Sequence, residues 1–315
     1  MQKNLLANFL LLVIFLFAVF SISCKTTAES AHKEQPVLGL VLPQGEEQWQ
    51  QELIQGFTSS AKEFAIETQI ERYNLNDINS IIQSTKKIPV SKDAPVCIVF
   101  LRREHVAPVF EELNKLKTPI LNIGVDDASV NRCASVTVSW ENIAYQWKIR
   151  FDQLDEKPKN VLFVYGKVPI RVERFEAAIF SRSNKHKAFT PKYRELENIT
   201  EEDVMNADLV CPIGYDAFEK VKSLGAEHVI PLDGSDDILN LLSDEKIERA
   251  FAPPYFELGM RALRLAREYH IRGFVPNPFL TLNASEIDKE SINLYLTRRY
   301  KLPPTVLKTN DTQGK

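Results

Sequence analysis

Glycine is scarce, at eleven residues in 315, and none of the eleven falls in a phosphate-cradling loop or the Gly-x-Ser-x-Gly elbow of a hydrolase. Five scattered histidines form no His-Glu-x-x-His run, and four cysteines at wide spacing make neither a zinc site nor a disulfide framework. No metal and no cofactor is therefore expected. The 39 basic and 42 acidic residues are interspersed and leave a net charge of -3, so no basic footprint for nucleic acid is present. Carboxylate pairs arise by chance among that many acids, and with no nucleophile, metal or phosphate motif beside them no enzymatic activity is expected.

What the chain does have is 44% apolar residues, enough for one large or two medium cores. It opens on Lys3, a continuous apolar run over 9–20, and Ser21-Ile22-Ser23-Cys24. This resembles a bacterial lipoprotein signal, in which Cys24 becomes the first mature residue and carries lipid. Ser21 stands where that motif usually has Leu, so a retained signal anchor and an ordinary secretory peptide remain as alternatives. The run is shorter than the about twenty residues a spanning helix needs. Each alternative places the folded part outside the cytoplasmic membrane. Residues 25–35 are polar without period, as a tether is.

From residue 36 the pattern alternates. Strands are read at 36–43, 67–73, 94–101 and 118–123, the first of them a continuous apolar run, and helical spacing at 49–64, 78–86 and 106–117 separates them. Such β-α-β crossovers imply a parallel, doubly wound sheet. Further strands are read at 160–165, 207–213 and 228–232, with a polar stretch at 185–195 that reads as a lost or remodelled strand and helix. The stretch after 228 is the most informative. A strand ends at Asp233-Gly234-Ser235, a short helix opens at Ile238, a strand follows at 250–252, and Pro253-Pro254 precedes a helix carrying Leu258, Ala262 and Ala266. Asp233 thus sits at the carboxyl end of a strand, where open parallel sheets collect ligands.

This order of pieces resembles the last crossover of the type I periplasmic binding proteins, the ribose-binding and lac-repressor-like sugar-binding family. Ile230-Pro231-Leu232-Asp233-Gly234-Ser235, Glu245 to Ala252 and Pro254-Tyr255-Phe256-Glu257-Leu258-Gly259 stand for the family's G-F-D-G-S-P, G-K-I-D-A-T-V-A-Q and P-Y-x-M-G. Thr118 to Ile123, leading into Asp126 and Asp127, looks like I-P-V-V-x-I-D, and Ser139 to Asn142 looks like the S-D-N crossing strand. Val168 to Ala178 looks like S-x-x-x-R-E-R-x-x-G-F, with Arg174 on the second arginine, and residues 278–282 and 288–293 look like the closing strand. The likeness spans 36–302.

The resemblance implies an α/β protein of two doubly wound parallel-sheet lobes joined by a three-crossing hinge. Residues 36–138 plus 254–279 would form the N-terminal lobe and 139–253 plus 280–306 the C-terminal lobe, after a signal peptide at 1–23 and a tether at 24–35, with a disordered tail at 307–315. It also implies a cleft. Trp49 stands for the family's stacking aromatics, with packing of the helix start as its other reading. Glu104 stands where sugar hydroxyls are bound, with Arg103 as a charged replacement or a solvated loop as alternatives. Asn142, Arg174 and Asp233 complete the set. The family's Asn-Asp after the strand at 207–213 is missing, which leaves Tyr215 or Asp216 there, and Pro253 stands where ribose binders have glutamine. The implied function is a monomeric solute-binding lipoprotein on the periplasmic side of the envelope, capturing a sugar-like ligand for an ABC permease. The other reading is a receptor of the same fold that signals, to a sensor kinase or another partner, and no longer transports sugar. Cys97 and Cys211 read as buried small hydrophobes, whereas Cys133 lies in a polar segment, so a Cys97–Cys133 bridge stays open.

Overall fold

The computed structural model describes residues 36–89, 94–154, 156–186 and 189–300, with only the backbone of 182–186 and 300. The expectations for Cys24, the signal, the tether and the tail lie outside the described residues.

Strand β1, Val37–Pro43, is buried on both faces, as a central parallel strand must be. Helix α1, Gln48–Glu63, turns back along it, and β2, Glu67–Tyr73, pairs parallel with β1. Asp77 then caps α2, Ile78–Lys86, by accepting the Asn79 N–H at 2.9 Å. Strand β3, Val96–Phe100, helix α3, Val106–Lys115, strand β4, Ile120–Gly124, and strand β5, Ala134–Val138, complete the winding. A late strand, β10, Phe279–Leu282, returns to the edge beside β5, so the six-stranded sheet runs β10-β5-β4-β3-β1-β2 with every pair parallel.

Ser139 caps α4, Trp140–Gln153, where the chain leaves this sheet. A second parallel sheet follows, in the order β7-β6-β8, from β6, Asn160–Tyr165, β7, Thr190–Glu195, and β8, Leu209–Ile213. Helix α5, Val172–His186, links β6 to β7, and α6, Glu201–Met205, precedes β8. Helix α7, Tyr215–Ser223, follows β8. The strand expected at 228–232 is present as two parallel bridges, Val210 to Val229 and Ile213 to Leu232. Pro231 and Pro212 have no N–H, which thins the ladder there, yet Leu232 still donates to Pro212 O at 2.8 Å. Helix α8, Asp236–Ser243, strand β9, Ala250–Ala252, and helix α9, Tyr255–Arg272, follow in the expected order. Strand β11, Ser285–Ile287, pairs antiparallel with β9, and α10, Ile292–Tyr300, ends the described chain. The polar stretch expected to have lost or remodelled a strand and helix does form a strand: β7 is a half-exposed edge, which needs no apolar run.

One apolar core joins members of both sheets, from Leu40 and Val136 to Phe163 and Cys211. Its second half is centred on fully buried Trp147, with ring centroids 5.3 Å from Phe163, 5.6 Å from Phe175 and 5.8 Å from Phe251. Cys97, Cys133 and Cys211 are all free thiols, and Cys133 donates to Ile120 O at 3.0 Å. Burial pushes the Cys133 thiol up to about 12, so it is not a reactive thiolate at neutral pH.

Helices α1 and α9 cross with backbone against backbone. A Cβ at Gly56 would run into Phe256 O, and one at Gly259 into Leu53 O. Alanine favours a helix over glycine by about 1 kcal/mol, but overpacking costs about 1–3 kcal/mol and here the obstacle is backbone. Gly259→Ala is therefore expected to destabilise the protein, read as a lower midpoint in chemical denaturation; an unchanged midpoint would show that the helices do not cross this closely.

Candidate functional site

The carboxyl ends of β3 and β4 carry residues 101–103 and 124–127, and the carboxyl end of β6 carries 166–171. These two sets of loops meet. Gly124, at φ +86°, leaves no room for a side chain because Pro169 lies against it. Arg171 donates from Nη1 to Asp126 O at 2.9 Å, and Arg103 lies 3.0 Å from Asp127 and 3.9 Å from Glu173. The Ser129 backbone N–H and hydroxyl, both donating to it, and the Arg103 guanidinium hold the Asp127 carboxyl down to about 2. Nearby, Gln48 Oε1 accepts the Asp236 N–H at 3.0 Å.

Two cavities open beside these contacts. One of about 270 Å³ has Leu101 and Tyr165 among its walls, with Arg102, Arg103 and Glu104 from one set of loops and Lys167, Glu173 and Glu195 from the other. Burial raises the Glu195 carboxyl, with Arg102 pulling the other way. A second, of about 490 Å³, lies against β5 and β10 and is bordered by Arg132, Arg171 and Arg174.

The six residues expected to bind ligand do not converge on one of these spaces. Glu104 lines the smaller cavity and pairs with Arg102 at 3.8 Å. Arg174 lines the larger one, exposed and 3.8 Å from Glu141. Trp49 is buried in the first turn of α1, its ring centroid 5.5 Å from that of Tyr255, and its indole N–H has no partner. Asn142 gives its backbone N–H to Ser139 Oγ at 3.4 Å within the start of α4. Tyr215 opens α7 and stacks on Phe218 at 6.2 Å, and burial raises its phenol, with Asp237 as acceptor. The alternative there, Asp216, accepts the Lys167 N–H at 3.0 Å and so pins the loop after β6. Asp233 is 5% exposed and accepts the Ser235 N–H at 2.7 Å.

Asp233 belongs instead to a buried charge cluster that the sequence did not announce. Arg299 of α10, with 2% of its side chain exposed, pairs with Glu52 of α1 and reaches Asp236 at 3.1 Å. Burial raises both Glu52, to about 8, and Asp233, while Arg299 draws each back down. Two buried carboxyls thus lie in the field of one buried guanidinium, which bonds directly to Glu52. Tyr255, also buried, is raised by burial and by the same two acids. Glu52 and Arg299 sit 247 residues apart, with no periodicity or motif to link them. Arg171 did have a signal, since it is the first arginine of the V-P-I-R-V-E-R-F segment.

No protein-family model matches the chain, and no curated protein matches it. Solved structures do. The glucose-galactose binding protein GanP from Geobacillus stearothermophilus aligns over 82% of this chain and 99% of its own, with a TM-score of 0.66 and 15% identity. A carbohydrate transporter from Acidothermus cellulolyticus 11B, in complex with myo-inositol, aligns over 85% of this chain and 99% of its own with a TM-score of 0.68 and 12% identity. The XylFII–LytSN complex gives 0.65 and 15% identity over 81% of this chain and 98% of that one.

The charge cluster makes a pH prediction. Glu52 binds its proton more tightly folded than unfolded, so between the ordinary 4.5 and about 8 the folded state holds the extra proton and stability falls as pH rises through that window. Glu52→Gln mimics the neutral carboxyl. From pH 5 to pH 9 it is expected to gain at least about 1.4 kcal/mol on the wild type, one pKa unit's worth, in denaturant titrations. Parallel pH curves for the two proteins would mean that Glu52 is ionised throughout.

Proposed function

We propose that this chain, whose two-lobed α/β architecture is that of the type I periplasmic binding proteins, is an extracytoplasmic solute-binding lipoprotein. It takes a small polar ligand, a sugar or sugar-like polyol, between its lobes and presents it to an ABC importer. Residues 36–138 plus 254–279 and 139–253 plus 280–306 are proposed as the lobes, and lipid on Cys24 as the tether to the membrane.

The observation that carries the reading is the smaller cavity, walled by loops from both sheets. Its facing side chains suit hydroxyls: Glu104, Glu173 and Glu195 accept, whereas Arg102, Arg103 and Lys167 donate, and bonds with one charged partner are about twice as strong as neutral ones. Leu101 and Tyr165 offer apolar surface for a sugar's C–H groups. An occupant touching both walls favours the arrangement in which they are close, by the difference between its affinities for the closed and open forms. That difference is what a membrane partner would read.

A second reading is favoured by a separate observation. Trp49 against Tyr255, Pro169 against Gly124 and the Glu52–Arg299 pair are contacts of the chain with itself. A protein that closes on its own side chains has less use for a sugar and is suited to signalling through a protein partner.

A thermal-shift series of neutral sugars and polyols separates the two. A neutral polyol is expected to raise the melting temperature at millimolar concentration, and Glu104→Gln to weaken that binding by about tenfold, the worth of one charge-assisted bond. If no neutral polyol moves the melting curve, the capture reading fails and the signalling one stands. If Glu104→Gln responds as the wild type does, the ligand is not in the smaller cavity.

A further inference from the structure

The larger cavity differs from the smaller in what its walls offer. Three arginines border it against two acids, Asp126 and Glu141, which leaves one net positive charge. Asp126 is already engaged: its carboxylate accepts from Arg132 at 2.6 Å and from Asn122 at 3.2 Å. Among the described residues Glu141 pairs with Arg174 alone, at 3.8 Å with both groups half-exposed, a pair worth little in water. Guanidinium donors are therefore in excess. Arg132 has 7% of its side chain exposed, yet its Nε is buried with no partner, and so is the Nε of Arg171. Buried donors left unpaired are costly and call for an acceptor.

Other parts of the wall suit a polyhydroxylated ligand. Ser135, Thr137 and Thr281 bring hydroxyls from β5 and β10, and the Phe279 ring, 62% exposed, lies under the Arg132 guanidinium at 4.7 Å. Ser135 and Thr137 come before the chain leaves the six-stranded sheet, whereas Arg171 and Arg174 come after it, so the two halves share the site. At about 490 Å³ the space lies within the roughly 300–1,000 Å³ of small-ligand clefts.

We propose that this cavity is a second binding site, for a small monocarboxylate that carries hydroxyls, a uronate or aldonate in chemical class. The carboxylate meets the Arg171 and Arg174 guanidiniums, whose planar forks match its two oxygens, and the hydroxyls meet the β5 and β10 side chains. One net positive charge matches a monoanion better than a phosphate dianion.

Calorimetric titration with D-galacturonate and D-gluconate, against D-galactose, D-glucitol and inorganic phosphate, tests this. Either acid is expected to bind at least about tenfold more tightly than its neutral counterpart and than phosphate, and the Arg171→Gln/Arg174→Gln protein to lose that margin. Thr281→Val, which removes one wall hydroxyl without touching an ion pair, is expected to weaken the acids several-fold and serves if the double variant does not fold by circular dichroism. Glu104→Gln, in the other cavity, is expected to leave acid binding intact even where it weakens a neutral polyol. The proposal is overturned if acid and neutral forms bind alike, if phosphate binds better, if neither a folded double variant nor Thr281→Val changes acid binding, or if Glu104→Gln abolishes it.

Discussion

The pairing of Arg299 with Glu52 is the constraint on which the arrangement of this protein rests. Moving a guanidinium and a carboxyl out of water costs several kcal/mol per ion, and only close geometry with further hydrogen bonds offsets it. The cost is met here by Asp236 at 3.1 Å on the same guanidinium, and it is lowered by burial, which lets the Glu52 carboxyl keep its proton up to about 8. Removing one partner strands the other in an apolar setting, whereas an apolar pair of like shape could hold the helices equally well. What the ion pair adds is position. It fixes helix α10, near the end of the described chain, on helix α1 near its start, and through α10 it seals the turn at Gly234, where a Cβ would strike the Tyr295 hydroxyl and the Ala252 methyl.

That position has a consequence for the cleft. Asp233 was expected to receive a ligand, because the end of a parallel strand is where ligands collect. In this protein the carboxyl is taken up by the Ser235 N–H and the field of Arg299, and Trp49 is taken up by Tyr255. Open volume lined by charged side chains is found instead in the two cavities beside the contact of Gly124 with Pro169.

The parallel winding was legible because strands buried on both faces leave continuous apolar runs. Strand 160–165 falls where its run places it and helix 78–86 where its spacing does, whereas strand 67–73 is a half-exposed sheet edge with little apolar content. Strand β7 was not legible for the converse reason: Thr190–Glu195 lies at a sheet edge, half-exposed, and carries Lys192, Arg194 and Glu195. The six candidate residues were read from a likeness of short segments, and they fall in the loops and first helical turns that follow strands. Which of them face a cavity depends on partners that the likeness does not encode, such as Arg299 for the cluster at Asp233 and Tyr255 for Trp49. Arg171 was passed over because the likeness was carried over only onto its second arginine, Arg174, and only the packing shows that both border the same space.

The loop after β6 connects the two cavities physically. Ile170 donates its N–H to Val168 O at 2.8 Å, closing a three-residue turn with Pro169 at its centre, and proline's fixed φ near -65° is close to the value such a turn requires. The turn is therefore stiff. Its flanks divide between the spaces, with Lys167, Val168 and Ile170 on the smaller cavity and Arg171 on the larger, while Pro169 itself bears on Gly124. This one turn thus delivers adjacent residues, Ile170 and Arg171, to different cavities.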